Sequence, residues 1–334
     1  MIPDCRNWLQ KMNNALRSFL ASSGWADATP SPVAGDLSVR RYTRLTKPHS
    51  SAILMECDPA SDTSLPTFLN MTEWLRAQGL SAPEIYAADV QTGLALLEDF
   101  GNDKLTTLIA QDPDRQRGYY TTILDTLIAI RNAPTPDLPS PTAHELCEAT
   151  KLADDWYPGA KSAHLDAFRT GLEPILHGLL ETPPTVSLRD FHADNIIWLP
   201  TRAALRQPGL LDYQDAFLVH PAYDLMSLLT DARIDVPTDL PTQIIEAYTQ
   251  KTGDSLTEIS TALAAFGAQR NLRILGIFAR AARRDGKAQH LNALPLVFRH
   301  LSDCCQHPAL APFARDLAAA LPEPTPMLIE SIKS

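Results

Sequence analysis

No apolar run in the chain approaches the roughly 20 residues of a membrane-spanning helix. Cysteine is sparse: Cys5, Cys57, Cys147, Cys304 and Cys305 are scattered, with no C-x-x-C pair. That excludes a disulfide framework and a cysteine zinc site, and fits reduced thiols in the cytoplasm. There is no block of Lys or Arg, and the net charge is −10, so a nucleic-acid partner is not expected. Glycine (14) is outnumbered by proline (27), and no G-x-G-x-x-G occurs; stiff loops and sharp helix boundaries follow. Internal repeats and low-complexity tracts are absent too. What remains is ordinary globular composition, 45% hydrophobic and 20% charged over 334 residues, enough for a large core. Residues 1 to 22 read as an amphipathic helix, with Trp8, Leu9, Met12, Leu16 and Phe19 at helical period, rather than a signal peptide.

The informative stretch is Ser187 to Asp224. It reads Ser-Leu-Arg-Asp-Phe-His-Ala-Asp-Asn, an apolar run from Ile196 to Leu199, a polar insert, then Gly-Leu-Leu-Asp-Tyr-Gln-Asp-Ala. Two short strands joined by a turn over 200–208 place Asp190, Asn195 and Asp212 at one end of a hairpin. Asp190 and Asn195 have the D-x-x-x-x-N spacing of phosphoryl-transfer loops, in which Asp serves the acceptor hydroxyl and Asn holds metal. Asp212, seventeen residues beyond Asn195, supplies a second hard oxygen ligand for Mg²⁺. Alone the spacing is weak; followed by strand, turn, strand and Asp it is specific. The competing reading makes Asp190, Asp194 and Asp212 simple turn formers.

The segment resembles the aminoglycoside phosphotransferase / choline kinase superfamily, whose loop runs His-Gly-Asp-x-His-x-x-Asn. Leu188 and Arg189 stand where that pattern has His and Gly; Asp190, His192 and Asn195 match. Leu-Leu-Asp-Tyr-Gln-Asp-Ala, Pro-Ala-Tyr-Asp-Leu and Arg273 to Arg280 narrow the likeness to bacterial anomeric kinases of N-acetylmuramate and N-acetylglucosamine. It covers residues 16 to 301 in patches. The resemblance implies an α+β, two-lobed protein-kinase-like fold. A small antiparallel-sheet N-lobe (1–100, hinge at 98–101) precedes a larger, mainly helical C-lobe (101–334), with ATP in the cleft. It also implies that backbone groups of Glu98 and Phe100 read the adenine and that Asp224 steadies the catalytic loop, with His192 ordering it.

Around that frame the chain is read in order. Val39 to Leu45 is a strand after a Gly35-Asp36 turn, and Ser38, Arg40, Arg41 and Arg44 offer donors to phosphate oxygens. Ser51 to Cys57 is the next strand, but the Lys usual there is absent, with Met55 near its place. Arg44 is the expected substitute. Thr67 to Gln78 is a helix capped by Thr67 and ended by Gly79. Its Glu73 is read as surface charge. Strands follow at 83–88 and 93–98. Helical faces then run through Ile123 to Ile130 and Leu165 to Leu179, where Pro174 should kink or break the helix. A helix opens at Pro221 and continues to about Arg233. Another spans Ser260 to Asp285, with Arg270, Arg273, Arg280 and Arg284 on one face, read as solvated or as part of the acceptor groove. Two further helices are expected over 288–321.

The reading is therefore ATP-dependent phosphorylation of the anomeric hydroxyl of an amino sugar by a cytoplasmic, monomeric, Mg²⁺-using enzyme of cell-wall recycling. Asp190 is the base, Asn195 and Asp212 the metal ligands, and Arg44, Ser38, Glu98 and Phe100 the ATP contacts. Arg189, Asp215, Arg270 and Arg273 are the acceptor contacts, since an acidic sugar suits arginine whereas a cationic aminoglycoside wants acidic residues. A kinase of another hydroxyl acceptor and a non-catalytic nucleotide binder remain the alternatives.

Overall fold

A computed structural model describes residues 14–33, 40–234 and 236–333. Ser38 and residues 1–13 of the expected first helix fall outside them. By its contacts the chain divides into two units, Met1–Asp103 with Ile197–Asp215, and Lys104–Ile196 with Ala216–Ser334.

The first unit is built on a five-stranded antiparallel sheet. Its strands are β1 (Thr29–Pro32), β2 (Arg41–Lys47), β3 (Ser50–Glu56), β4 (Ile85–Asp89) and β5 (Leu94–Glu98), in the order β1-β2-β3-β5-β4. Alternation decides its faces. Leu45 lies opposite Ala52, and Leu54 opposite Leu96; all four are fully buried against Leu16, Phe19 and Leu20, the last three being the apolar stripe of the helix Asn14–Ser22. The other face carries Tyr42, Arg44 and Met55. Strand β1 was not anticipated, because Thr-Pro-Ser-Pro reads as loop; its two prolines are tolerated because it is an edge strand. The helix expected from Thr67 starts earlier, over Leu65–Ala77, with Ser64 at its N-cap and Pro66 in its first turn. Gly79 closes it at φ +77, as expected. Glu73 is exposed.

A hairpin of β7 (Ile196–Trp198) and β8 (Pro208–Leu210) completes this unit. It was expected to stay with residues 101–334, but it packs on the sheet's own connections. The Leu210 N–H donates to Ser81 O at 2.7 Å. Tyr213 is buried, stacks on Phe68 at 5.2 Å, and shares a 2.6 Å hydrogen bond with Thr72.

The second unit is mainly helical. A two-stranded ribbon, β6 (Thr185–Ser187) with β9 (Phe217–Val219), is its sheet. The helix Leu256–Asp285 is buried on nearly every side from Ala262 to Ala282, as a core helix must be. Gly276 lets it approach the backbone of Leu152 and Ala153: a Cβ there would stand 2.3 Å from Leu152 C. The helix Ser162–Leu179 continues through Pro174 without a break. The helix expected from Pro221 to Arg233 is shorter, Tyr223–Leu229. The two α-helices expected over 288–321 are Leu294–Cys304 and Ala314–Ala320, and a further one, Pro326–Lys333, follows them. Among the described residues no helix is long and apolar enough to cross a membrane.

Candidate active site

Within the second unit the loop after β6 is tied down by buried carboxylates. Asp224 accepts the Ser187 hydroxyl at 2.6 Å and the Leu188 N–H at 2.7 Å. Burial pushes its carboxyl up to about 6, although these donors oppose the shift. Asp231, fully buried, accepts the Ala193 N–H at 2.9 Å and the Arg233 N–H at 2.9 Å. Arg233 in turn lies 3.4 Å from Asp194, which Thr106 also bonds. Asp231 was missed in the sequence. Its signal was an Asp directly after a helix end, which is common and uninformative until the fold turns it inward.

Between those two anchors sits Asp190. Arg189, just before it, holds φ +69, where the family pattern has glycine. Its guanidinium lies 6.0 Å from the Phe217 ring centre. Arg270 reaches Asp190 Oδ1 at 3.3 Å and is 3% exposed, so the solvated reading of this arginine is wrong. Burial alone would raise the Asp190 carboxyl, but the charges of Arg270, Arg273 and Arg189 outweigh it and hold the group below the usual carboxylate value. The side chain is still 39% exposed, so it is ionised and reachable. Arg273 is shifted below its ordinary value by burial and by the like charges of Arg189 and Arg270. Three guanidiniums around one carboxylate leave a surplus of positive charge.

The Asn195 amide donates from Nδ2 to the Asp190 carbonyl at 3.0 Å, and the same nitrogen lies 3.3 Å from His192 Nε2. His192 is buried, and burial followed by Arg233 pushes it down to about 4. It is therefore neutral near pH 7, and its Nε2 serves as an acceptor. Two acceptors on one amide nitrogen fix which way the Asn195 oxygen points.

In the first unit Asp212 ends the hairpin at φ +60; among the described residues only it and Arg189 are non-glycine at positive φ. Gln214 donates to its Oδ1 at 2.8 Å, and Asp215 is exposed nearby. The side chains of Glu98 and Phe100 are spoken for. Glu98 pairs with Arg202, and its N–H goes to Glu84 O at 2.8 Å. Arg202 lies 5.0 Å over the Phe100 ring, and Gly209 makes room for that ring, since a Cβ would stand 2.8 Å from it. Arg44, the expected phosphate contact, is instead bonded to Asp99 at 2.7 Å, to Asn102 at 2.7 Å and to Gly101 O at 3.0 Å. It orders the turn after Glu98.

Among the described residues no three His, Cys, Asp or Glu side chains cluster as a metal site. Asn195 of the second unit offers an amide oxygen and Asp212 of the first a carboxylate oxygen; each is by its chemistry a donor that Mg²⁺ accepts beside waters and substrate phosphates.

Residues 29–262 match the phosphotransferase enzyme family. An N-acetylmuramate/N-acetylglucosamine kinase of Caulobacter vibrioides is 33% identical over 89% of this chain and 93% of its own length. One of the same name from Pseudomonas aeruginosa is 28% identical over 93% and 95%. The crystal structure of a choline/ethanolamine kinase family protein from Mesorhizobium loti superposes with TM-score 0.66 at 12% identity, over 96% of this chain and all of that one; the likeness is one of fold. With its antiparallel sheet, helical remainder and family match over most of its length, the chain belongs to the phosphotransferase enzyme family.

Proposed function

We propose that the protein transfers the γ-phosphoryl group of ATP to the anomeric hydroxyl of N-acetylmuramate or N-acetylglucosamine, yielding the sugar 1-phosphate. The observation that carries the reading is the ionised Asp190 carboxylate set among three arginines. Asp190 takes the hydroxyl proton as the anomeric oxygen bonds to γ-phosphorus, and the bond to the β–γ bridging oxygen breaks, releasing ADP. An anomeric hydroxyl is more acidic than an ordinary alcohol, so a carboxylate of low basicity suffices. Arg189, Arg270 and Arg273 suit an acceptor with its own carboxylate, and Asp215 completes the proposed acceptor contacts. Glu98, whose N–H is already used, would meet the adenine through its carbonyl, and Phe100 through its backbone. Asn195 and Asp212 are the proposed Mg²⁺ ligands, and the ion would neutralise charge on the nucleotide phosphates. Positioning and charge neutralisation carry most of the acceleration in such reactions. The relatives' name supports the amino-sugar acceptor; a cytoplasmic, monomeric enzyme of cell-wall recycling is the matching setting.

The test is an acceptor panel with ATP and Mg²⁺, followed by ³¹P NMR for the 1-phosphate. Turnover of choline or kanamycin without turnover of either amino sugar overturns the reading. Asp190→Ala is expected to lose about 10³-fold in kcat, within the usual range for a general base, while still binding ADP.

A further inference from the structure

The strand β3 lacks a lysine, and the first unit supplies a cation to the same spot from elsewhere. Arg40 immediately precedes β2, and its side chain is 3% exposed. Its Nη1 faces the Met55 sulfur at 3.9 Å, and its guanidinium lies 5.9 Å from the Phe68 ring of the helix Leu65–Ala77. Asp62 receives its Nε–H at 2.8 Å, and Ser64 receives Nη2. Asp62 also accepts the Ser64 N–H at 2.9 Å, so the acid is itself fixed. Tyr42, hydrogen-bonded to Arg40, feels the charge of the Asp212 carboxylate. A guanidinium and an oriented acid are thus neighbours on one face of the sheet, beside Met55.

We infer that Arg40, oriented by Asp62 and Ser64, is the phosphate-binding cation of this protein, taking the diphosphate of a nucleoside di- or triphosphate in place of a lysine at Met55. The thioether on Nη1 is a weak acceptor, and a phosphate oxygen is a far stronger partner for the same hydrogens. The arginine's fork lets it keep Asp62 while turning its other edge to the ligand. This inference rests on ATP being the donor; it does not depend on which acceptor is used.

The experiment compares ADP with adenosine by calorimetry on the full chain. Wild type is expected to bind ADP at least tenfold more tightly than adenosine. Arg40→Gln keeps a donor for Asp62 and Ser64 and loses the charge; it should abolish that gap and leave adenosine affinity unchanged. Arg40→Met should do the same wherever it melts cooperatively. A folded Arg40→Gln that keeps the gap overturns the inference, and so does one that loses both ligands equally, which marks a purely structural arginine. Wild type that prefers ADP but phosphorylates no amino sugar would sink the proposed acceptor and leave Arg40 standing.

Discussion

Arg189 and Asp212 both sit in the left-handed region, where an arginine pays roughly 1 kcal/mol and an aspartate less. Strain of this kind persists where the surroundings over-determine it, and both residues belong to the proposed site. Arg189→Gly relieves the first. It should leave the protein as stable or raise its stability by up to about 1 kcal/mol, while kcat/KM for N-acetylmuramate falls at least tenfold and that for the neutral sugar falls less. Equal loss for both sugars would deny Arg189 a charge-specific role. A second residue makes the fold sensitive to acid. His220 is buried, its Nδ1 accepts the Ala222 N–H at 3.1 Å, and burial pushes it down to about 4. Its unfolded value is near 6.5. The stability it contributes is therefore complete above about pH 6.5 and is lost as pH falls toward 4, at about 1.4 kcal/mol per unit while one proton is taken up on unfolding. His220→Asn keeps an acceptor for Ala222. Its urea-unfolding free energy should fall about 2 kcal/mol less than wild type's between pH 6.5 and 4.5. The candidate set Asp190, Asn195 and Asp212 could be proposed from the sequence because its spacing is local. Arg270 on Asp190, Asp231 on Ala193 and Arg40 on Asp62 were not, since each pairing spans 22 to 80 residues and no local pattern encodes it.

At the scale of elements, periodicity identified the helices and strands but not what their faces meet. The arginine stripe of the helix Leu256–Asp285 was read partly as solvated; Arg270 is instead buried, while Arg284 near the C-terminal end is exposed. A helix buried from Ala262 to Ala282 must be smooth wherever another backbone crosses it, and Gly276 is such a point. Alanine there gains up to about 1 kcal/mol of helix propensity. Its Cβ would nevertheless collide with the Leu152 carbonyl group, 2.3 Å from the carbon and 2.4 Å from the oxygen, and overpacking against backbone costs about 1–3 kcal/mol or more. The net expectation for Gly276→Ala is a loss near 2 kcal/mol. Gly118, exposed in the helix Gln116–Asn132, is the control. Nothing lies within 4 Å of its added Cβ, so Gly118→Ala should gain about 0.5–1 kcal/mol. Thermal melts that moved both variants the same way would refute this account of the crossing.

At the scale of the whole chain, the break in the strand pattern at Glu98-Asp99-Phe100-Gly101 was legible in the sequence. The return of residues 197–215 to the first unit was not, because a hairpin's sequence says where its turn lies and not which surface it joins. The consequence is that the sheet is incomplete as a continuous piece. Residues 1–103 alone lack Tyr213, which is fully buried on Phe68 and Thr72. They also lack Arg202, which binds Glu98 and reaches the Ser81 hydroxyl at 2.9 Å, and Leu210, whose N–H satisfies Ser81 O. Loss of one large buried aromatic side chain costs about 3–5 kcal/mol, a large share of the roughly 5–15 kcal/mol that holds a whole domain together. The fragment 1–103 is therefore expected to show no cooperative urea transition. The same fragment joined through a flexible linker to residues 197–215 should recover one, with Phe68 and Thr72 covered again. A cooperative transition in 1–103 by itself, with the urea dependence of a folded domain of that size, would show that the hairpin decorates the sheet rather than completing it.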